Sequence, residues 1–415
     1  MASIAELRRK LSFAAARERV MSAARALPAE VVTLGEARGR ALRQSLAAPH
    51  PLPPFRNSAV DGFAVRAADL ATAGAAQPVT LRVVATVAAG SPAGDPLPPG
   101  SAIRVMTGAM IPADADAVVP IEDAEAPTGG ATVRVARPAA AGANVREAGR
   151  DLAAGAVAFD PGRELSAFDL ALLAALGFAR LPVGQRPRVA VLSTGNELLG
   201  IDAALEPGRI RDSNAPMLRA LLDECGAHLV RAERLPDEAA TVERAIRDAL
   251  READAIITVG GVSVGDFDPV RQAIAALPWI ELWRVAMRPG QPQAFGTHEG
   301  RLFFGLPGNP ASVACVFETL VRPALRRLQG FAALERPRAP VRVARAIESR
   351  AGRTDFVRVT LERRGDALWA EAAGEQVSGH LTPQARAHAL LIVPDERERL
   401  EKDERAEALI LRWPE

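Results

Sequence analysis

The residues able to do chemistry gather where apolar runs stop. In 256–269, IITVGGVSVGDFDP, a β-branched run ends in Gly260 and Gly261, followed by Ser263, Gly265 and two carboxylates, Asp266 and Asp268. Glycines let backbone N–H groups converge on one point with no Cβ in the way. Such a stretch can cradle an anion at the carboxyl end of a strand, the edge where open α/β sheets bind ligands. Carboxylates repel an anion but hold Mg²⁺, which bridges protein to phosphate. The alternative is a strand–helix turn whose aspartates only cap the helix. Segment 192–197, LSTGNE, ends a second apolar run with Ser193, Thr194 and Gly195, then adds Asn196 and Glu197. Segment 305–312, GLPGNPAS, supplies Pro307, Gly308, Asn309, Pro310 and Ser312; Pro310 suits a helix start, whose free N–H groups and dipole favour an anion. Arg288, in RVAMRPGQP, stands at a strand end where its fork fits phosphate, molybdate or sulfate. A solvated surface arginine is the alternative there.

Each of these turns needs a strand behind it and a helix ahead. From Pro187 the pattern predicts strands over 188–192, 255–259, 281–285 and 302–305. It predicts helices over 213–225 (capped by Ser213), 237–252, 268–276 and 310–328, the alternation of a doubly wound α/β fold. Upstream, helices are expected over 12–27 and 34–46, and Pro51, Pro53 and Pro54 break the chain. Residues 55–145 read as β-rich, with strands over 79–84, 117–121 and 131–135; an apolar helix follows over 167–176. Beyond Pro337 and Pro340, strands over 341–343, 356–361, 389–392 and 408–411 predict a small β-barrel or sandwich. The expected division is 1–50 plus 145–184 as a discontinuous linker domain, 51–144 as a β-rich domain, 185–332 as an α/β domain, and 337–415 as the barrel.

Composition narrows the function. A chain of 415 residues that is 48% hydrophobic holds ample cores. A net charge of +1 provides no basic field for nucleic acid or an anionic membrane. Cys225 and Cys315 form no disulfide framework, and His50, His228, His298, His380 and His388 lack zinc spacing. No run reaches transmembrane length, and no apolar segment follows Arg8, Arg9 and Lys10, so a soluble cytoplasmic protein is expected. Lysine occurs only at Lys10 and Lys402 and tyrosine is absent, so Arg for Lys or Phe for Tyr says little here. The stretch Gly261–Gly265 also matches the G-x-S-x-G nucleophile elbow of hydrolases. An elbow opens its helix directly after the serine, whereas Asp266, Phe267, Asp268 and Pro269 intervene. A serine esterase through Ser263, with His298, His380 or His388, is the minor reading.

Taken in order, PPFRNSAVDGFA, RVMTGA, NVREAGRD, LSTGNEL, GRIRDSN, GGVSVGDFD, RPGQPQAFG, GLPGNPAS and GRTDFVR span most of the chain. Together they resemble the molybdopterin molybdenumtransferase (MoeA) family, which includes the E domain of gephyrin. The resemblance implies a MogA-like α/β domain and insertion of molybdate into the dithiolene of adenylylated molybdopterin, with Mg²⁺-dependent release of AMP. It implies an elongated homodimer, each site lying between the α/β domain of one subunit and the β-rich domain of the other. An adenylylating MogA-like partner and recipient molybdoenzymes are implied as well. By motif position it marks Asp61, Thr107, Asp151, Glu197, Asp237 and Asp268 as catalytic, with Glu197 and Asp268 holding Mg²⁺. It assigns Ser193, Thr194, Gly195, Asp212, Ser213, Gly260, Gly261, Ser263, Gly265, Pro307, Gly308, Asn309, Pro310 and Ser312 to substrate binding, with 260–265 cradling the pyrophosphate and pterin and Pro307 and Pro310 shaping the pocket floor. Arg288, Gln291, Arg353 and Ser378 fall on the molybdate side. Gln291 stands where the family commonly has lysine, which removes a charge. A non-catalytic scaffold of the same fold is the alternative.

Overall fold

Runs such as Ala255–Val259 have no polar alternation, so their strands must be buried on both faces. The computed structural model, which describes residues 9–127, 130–262 and 269–414, bears this out. Parallel strands His228–Leu235, Arg188–Thr194, Ala255–Val259 and Arg301–Leu306 lie side by side in that order. Antiparallel Pro292–His298 and Ile280–Arg288 extend the sheet, and Arg9–Ser12 pairs in parallel with the latter. Alternate residues of one strand enter opposite cores. Val189, Val191 and Ile257 meet Leu218, Leu222, Val313 and Phe317 on one face. Ala190, Leu192 and Ile256 meet Val242, Ile246 and Phe303 on the other. Each buried Val, Leu, Ile or Phe side chain contributes about 1.5–3 kcal/mol, and the two-sided pattern is what doubly winds the sheet.

The segment after Arg301–Leu306 starts as helix Pro310–Val316, passes through a π-helical stretch, Phe317–Val321, and resumes as helix Arg322–Gln329. Beyond it, Arg338–Val343, Thr354–Arg364, Ala367–Ala372, Ala389–Val393 and Arg405–Ile410 pair in a closed ring. Val341, Val357, Val359, Leu391 and Ile410 fill its interior, so the C-terminal barrel expected from sequence is present. A two-residue parallel rung, Met287 with Thr354 and Arg288 with Asp355, joins barrel to sheet. These elements form one unit, residues 1–43, 161–166 and 180–415.

The other unit, residues 44–160 and 167–179, contains a six-stranded sheet. Its strands, in spatial order, are Ala117–Pro120, Gly62–Val65, Ser101–Val105, Val79–Val87, Thr132–Val135 and Ala124–Glu125. Phe63 and Val65 enter one small core, Ala64 and Ile103 another. Helix Ala167–Ala175 forms as expected.

Several local expectations fail for physical reasons. Of the helix expected over 34–46, only Leu34–Ala37 forms, as a 3₁₀ turn. The Glu36 carboxylate accepts from the Thr33 N–H and hydroxyl at 3.0 and 2.6 Å, and Gly39 turns the chain at φ +71°. The first helix is Phe13–Ala23, because Arg9–Ser12 is drawn into the sheet and Ser12 Oγ accepts from the Ala15 N–H at 3.1 Å. Strands His228–Leu235, Pro292–His298 and Ala367–Ala372 were not expected. No described helix is long and apolar enough to cross a membrane.

Candidate functional site

Parallel register brings three strand ends to one edge: Ser193 lies beside Val259, and Val259 beside Leu306. A cavity of about 1500 Å³ opens there, lined by the three turns that follow and by residues 287–292, 353 and 376–379. The turns touch directly. Thr194 Oγ1 donates to Val259 O at 3.2 Å, and the Gly260 N–H to Leu306 O at 3.0 Å. Gly260 sits at φ +97°, and a Cβ there would lie 2.7 Å from Thr194 O and 2.8 Å from its hydroxyl. Only glycine allows that approach.

The third turn is tied from two sides. Asn214 Nδ2 donates to Gly308 O at 2.7 Å. Asn309 Nδ2 donates to Ser378 Oγ at 3.0 Å, and the Ala311 N–H to Ser378 O at 3.1 Å. The Ser312 and Val313 N–H groups donate to Asn309 O, so the helix start offers an anion fewer free donors than its sequence suggested. Ser213 does not cap its helix. Asp212 does, with Oδ1 accepting from the Asn214 and Ala215 N–H groups at 3.0 and 3.1 Å.

Three described carboxylates line the cavity: Glu197, Asp212 and Asp237. Asp212 is committed to its cap. Asp237 Oδ2 accepts from the Asn196 N–H at 3.0 Å, while Asn196 Oδ1 accepts from the Asp237 N–H at 3.3 Å. Glu197 is exposed and folds back over Gly195, where a Cβ at φ +149° would meet its Oε2 at 2.6 Å. No group of three metal-binding side chains gathers among the described residues. Ser263, Gly265 and Asp268 lie outside them.

A second part of the lining is cationic. Arg288, Gln291, Arg353 and Ser378 all line the cavity. Buried Gln293 donates from Nε2 to Gly290 O at 2.7 Å and so holds the 287–291 turn. Arg358, itself buried, ties down the barrel loop that carries Ser378. Its guanidinium donates to His380 O at 3.0 Å, Val377 O at 3.1 Å, and Glu375 O and Gln376 Oε1 at 3.3 Å. Burial draws its pKa below the ordinary arginine value.

In the other unit Asp61 and Thr107 meet. Asp61 Oδ1 accepts from the Thr107 N–H at 2.6 Å and its hydroxyl at 2.8 Å, and these bonds hold the carboxyl below its ordinary range. Asp151 stands on a separate turn, its N–H donating to Leu52 O at 3.0 Å. His298 is engaged by the Trp279 ring at 5.2 Å and His388 Nδ1 by the Leu361 N–H at 3.0 Å. Sequence reasoning passed over Asn214, Asp355 and Arg358, all inside quoted motifs, where polar residues interrupting a strand or opening a helix were the available signal, and Gln376, which lies outside every motif.

Comparison with known proteins agrees with the motifs. The MoeA N-terminal region (domain I and II) matches residues 11–177, a probable molybdopterin binding domain 190–327, and the MoeA C-terminal region (domain IV) 340–411. Molybdopterin molybdenumtransferase 2 of Mycobacterium tuberculosis is 37% identical over 372 residues, 88% of this chain and 91% of that one. Molybdopterin molybdenumtransferase of Bacillus subtilis is 34% identical over 397 residues, 93% of this chain and 92% of that one. The solved structure of the molybdopterin biosynthesis MoeA protein of Pyrococcus horikoshii superposes with a TM-score of 0.83 at 28% identity, over 97% of this chain and all (100%) of that one.

Proposed function

We infer the reaction from one premise: the chain belongs to the molybdopterin molybdenumtransferase family. It is an enzyme of molybdenum-cofactor biosynthesis. We propose that it inserts molybdate into the dithiolene of adenylylated molybdopterin and releases AMP in a Mg²⁺-dependent step. The observation that supports this best is the cavity itself. Three glycine-bearing strand-end turns supply one part of its lining, and Arg288, Arg353 and Ser378 supply another. A ligand with a phosphate end and an oxyanion end fits such a division.

In this reading the turns at Gly195, Gly260 and Gly308 approach the pyrophosphate and pterin by backbone, while Arg288, Arg353 and Ser378 receive molybdate. Asn214 and Arg358 keep the two walls in place. Glu197 is the lining carboxylate with no hydrogen-bond partner among the described residues, and a hard oxygen donor suits Mg²⁺. Glu197, with Asp268, would hold the ion, which when bound neutralises phosphate charge. Asp61, Thr107 and Asp151 are assigned to the same reaction in a homodimer, acting at the cavity of a second copy. A four-domain subunit, a cytoplasmic location, a MogA-like adenylylating partner and molybdoenzyme acceptors complete the proposal.

The test is AMP release from adenylylated molybdopterin, with molybdate and Mg²⁺ each present or withheld. Release that needs both is expected. Release independent of molybdate would refute insertion.

A further inference from the structure

Behind the cationic wall, one buried carboxylate faces two arginines. Asp355 is only 2% exposed and does not line the cavity. Its backbone is fixed on both sides, by the rung to Arg288 and by antiparallel pairing with Val393. Its Oδ2 accepts from Arg353 Nη2 at 3.3 Å and lies 3.8 Å from Arg288 Nη1. Oδ1 lies 2.8 Å from Arg353 Nε, an ion-pair contact in which neither atom has an aligned hydrogen bond. Arg353 therefore turns its Nε–Nη2 edge toward Asp355 while the residue itself lines the cavity. The Arg353 and Arg288 side chains remain 27% and 47% exposed. Arg358, equally buried, does not compete for Asp355, because its donors go to the 375–380 loop.

A carboxylate this deeply buried persists only beside its cations, and an arginine fork is pre-organised only when one edge is held. We propose that Asp355 is a positioning residue for the oxyanion. It clamps Arg353 edge-on and tethers Arg288, so that both guanidiniums face one tetrahedral anion while their mutual repulsion is reduced. This rests on the assignment of Arg288 and Arg353 to molybdate.

The test uses the intact chain. Asp355→Asn should raise the KM for molybdate roughly tenfold, the usual size for a lost charged hydrogen bond, with the KM for adenylylated molybdopterin within about twofold of wild type. In an Arg353→Gln background Asp355→Asn should add less than about twofold, because residues acting as one unit are not additive. Arg353→Lys keeps the charge but not the fork, so it should behave like Arg353→Gln. An unchanged molybdate KM in Asp355→Asn, or a full tenfold repeated in the Arg353→Gln background, overturns the proposal. If Asp355→Asn fails to fold, Arg353→Lys decides: a wild-type molybdate KM there overturns it. Calorimetric titration with molybdate separates the two levels. Asp355-dependent binding without AMP release would refute insertion and keep the clamp; AMP release with an Asp355→Asn molybdate KM equal to wild type would refute the clamp alone.

Discussion

The sharpest single perturbation of the cavity is Gly260→Ala. At φ +97° an L side chain is strained, which costs about 1–3 kcal/mol. The new Cβ would also lie 2.7 Å from Thr194 O and 2.8 Å from Thr194 Oγ1. Thr194 cannot retreat easily, because it pairs with Leu235 and its hydroxyl donates to Val259 O. Overpacking of that kind adds about 1–3 kcal/mol, so a loss of about 4 kcal/mol is expected. Gly308→Ala is the control: the nearest atom to its Cβ is Gly260 Cα at 3.8 Å, and its φ is not left-handed. It should stay within about 0.5 kcal/mol of wild type. All four tryptophans, Trp279, Trp283, Trp369 and Trp413, lie in the unit containing the cavity, so urea unfolding followed by tryptophan fluorescence reports on the right unit. AMP release by Gly260→Ala, assayed where it remains folded, should fall on the order of a hundredfold, since displaced backbone misplaces the substrate. A Gly260→Ala variant within 1 kcal/mol of wild type, or a Gly308→Ala variant equally damaged, would refute the argument from close approach.

Two further perturbations follow from the site. Thr107→Val removes one of the two bonds that depress the Asp61 pKa and leaves the larger, from the Thr107 N–H, in place. The Asp61 carboxyl should titrate closer to its ordinary range by NMR, though not fully there, and an unmoved titration counts against the pair. The sign follows from the depression: the interaction stabilises the fold above the ordinary carboxylate range and is lost as pH falls through the folded-state value. Gln291→Lys adds a cation to the exposed lip of the cavity, on the side we propose for molybdate. About 1 kcal/mol of attraction corresponds to about fivefold lower molybdate KM, weakened by salt; an unchanged molybdate dependence would remove Gln291 from that wall.

Much of this architecture was legible because the relevant signals are local. The strand Ala255–Val259 announces itself by being apolar on both faces, and the glycines that end it mark a close backbone approach before any neighbour is known. What stayed hidden depends on partners distant in sequence. Pro292–His298 carries a proline and a glycine, poor strand formers, yet Gly296 is needed there because a Cβ would meet Trp279 O at 2.5 Å. Residues 34–46 have helical composition, but Leu46–Ala47 pairs with Val157–Phe159 and tertiary pairing overrides propensity. Asp355 falls just outside the strand expected over 356–361, and its burial and its place beside Arg288 depend on pairing with a strand distant in sequence.

That rung also explains why the barrel belongs to the site. Two paired residues are too few to fix an orientation, so apolar packing must do it. Phe356, Leu390 and Leu409, from the barrel wall, share one buried cluster with Val285 and Met287 of the α/β sheet. Phe13, just after the first strand, meets the Phe356 ring edge-on at 5.0 Å. This packing settles where the barrel sits, and the rung then sets its register. A slip of one residue would turn Asp355 to the other face and bring Thr354 or Phe356 level with Arg288. The placing of Arg288 and Arg353 at the cavity is therefore a consequence of core packing more than of any loop, and Phe356→Ala should raise the KM for molybdate, if those arginines receive it as proposed, while leaving the strand-end turns in place.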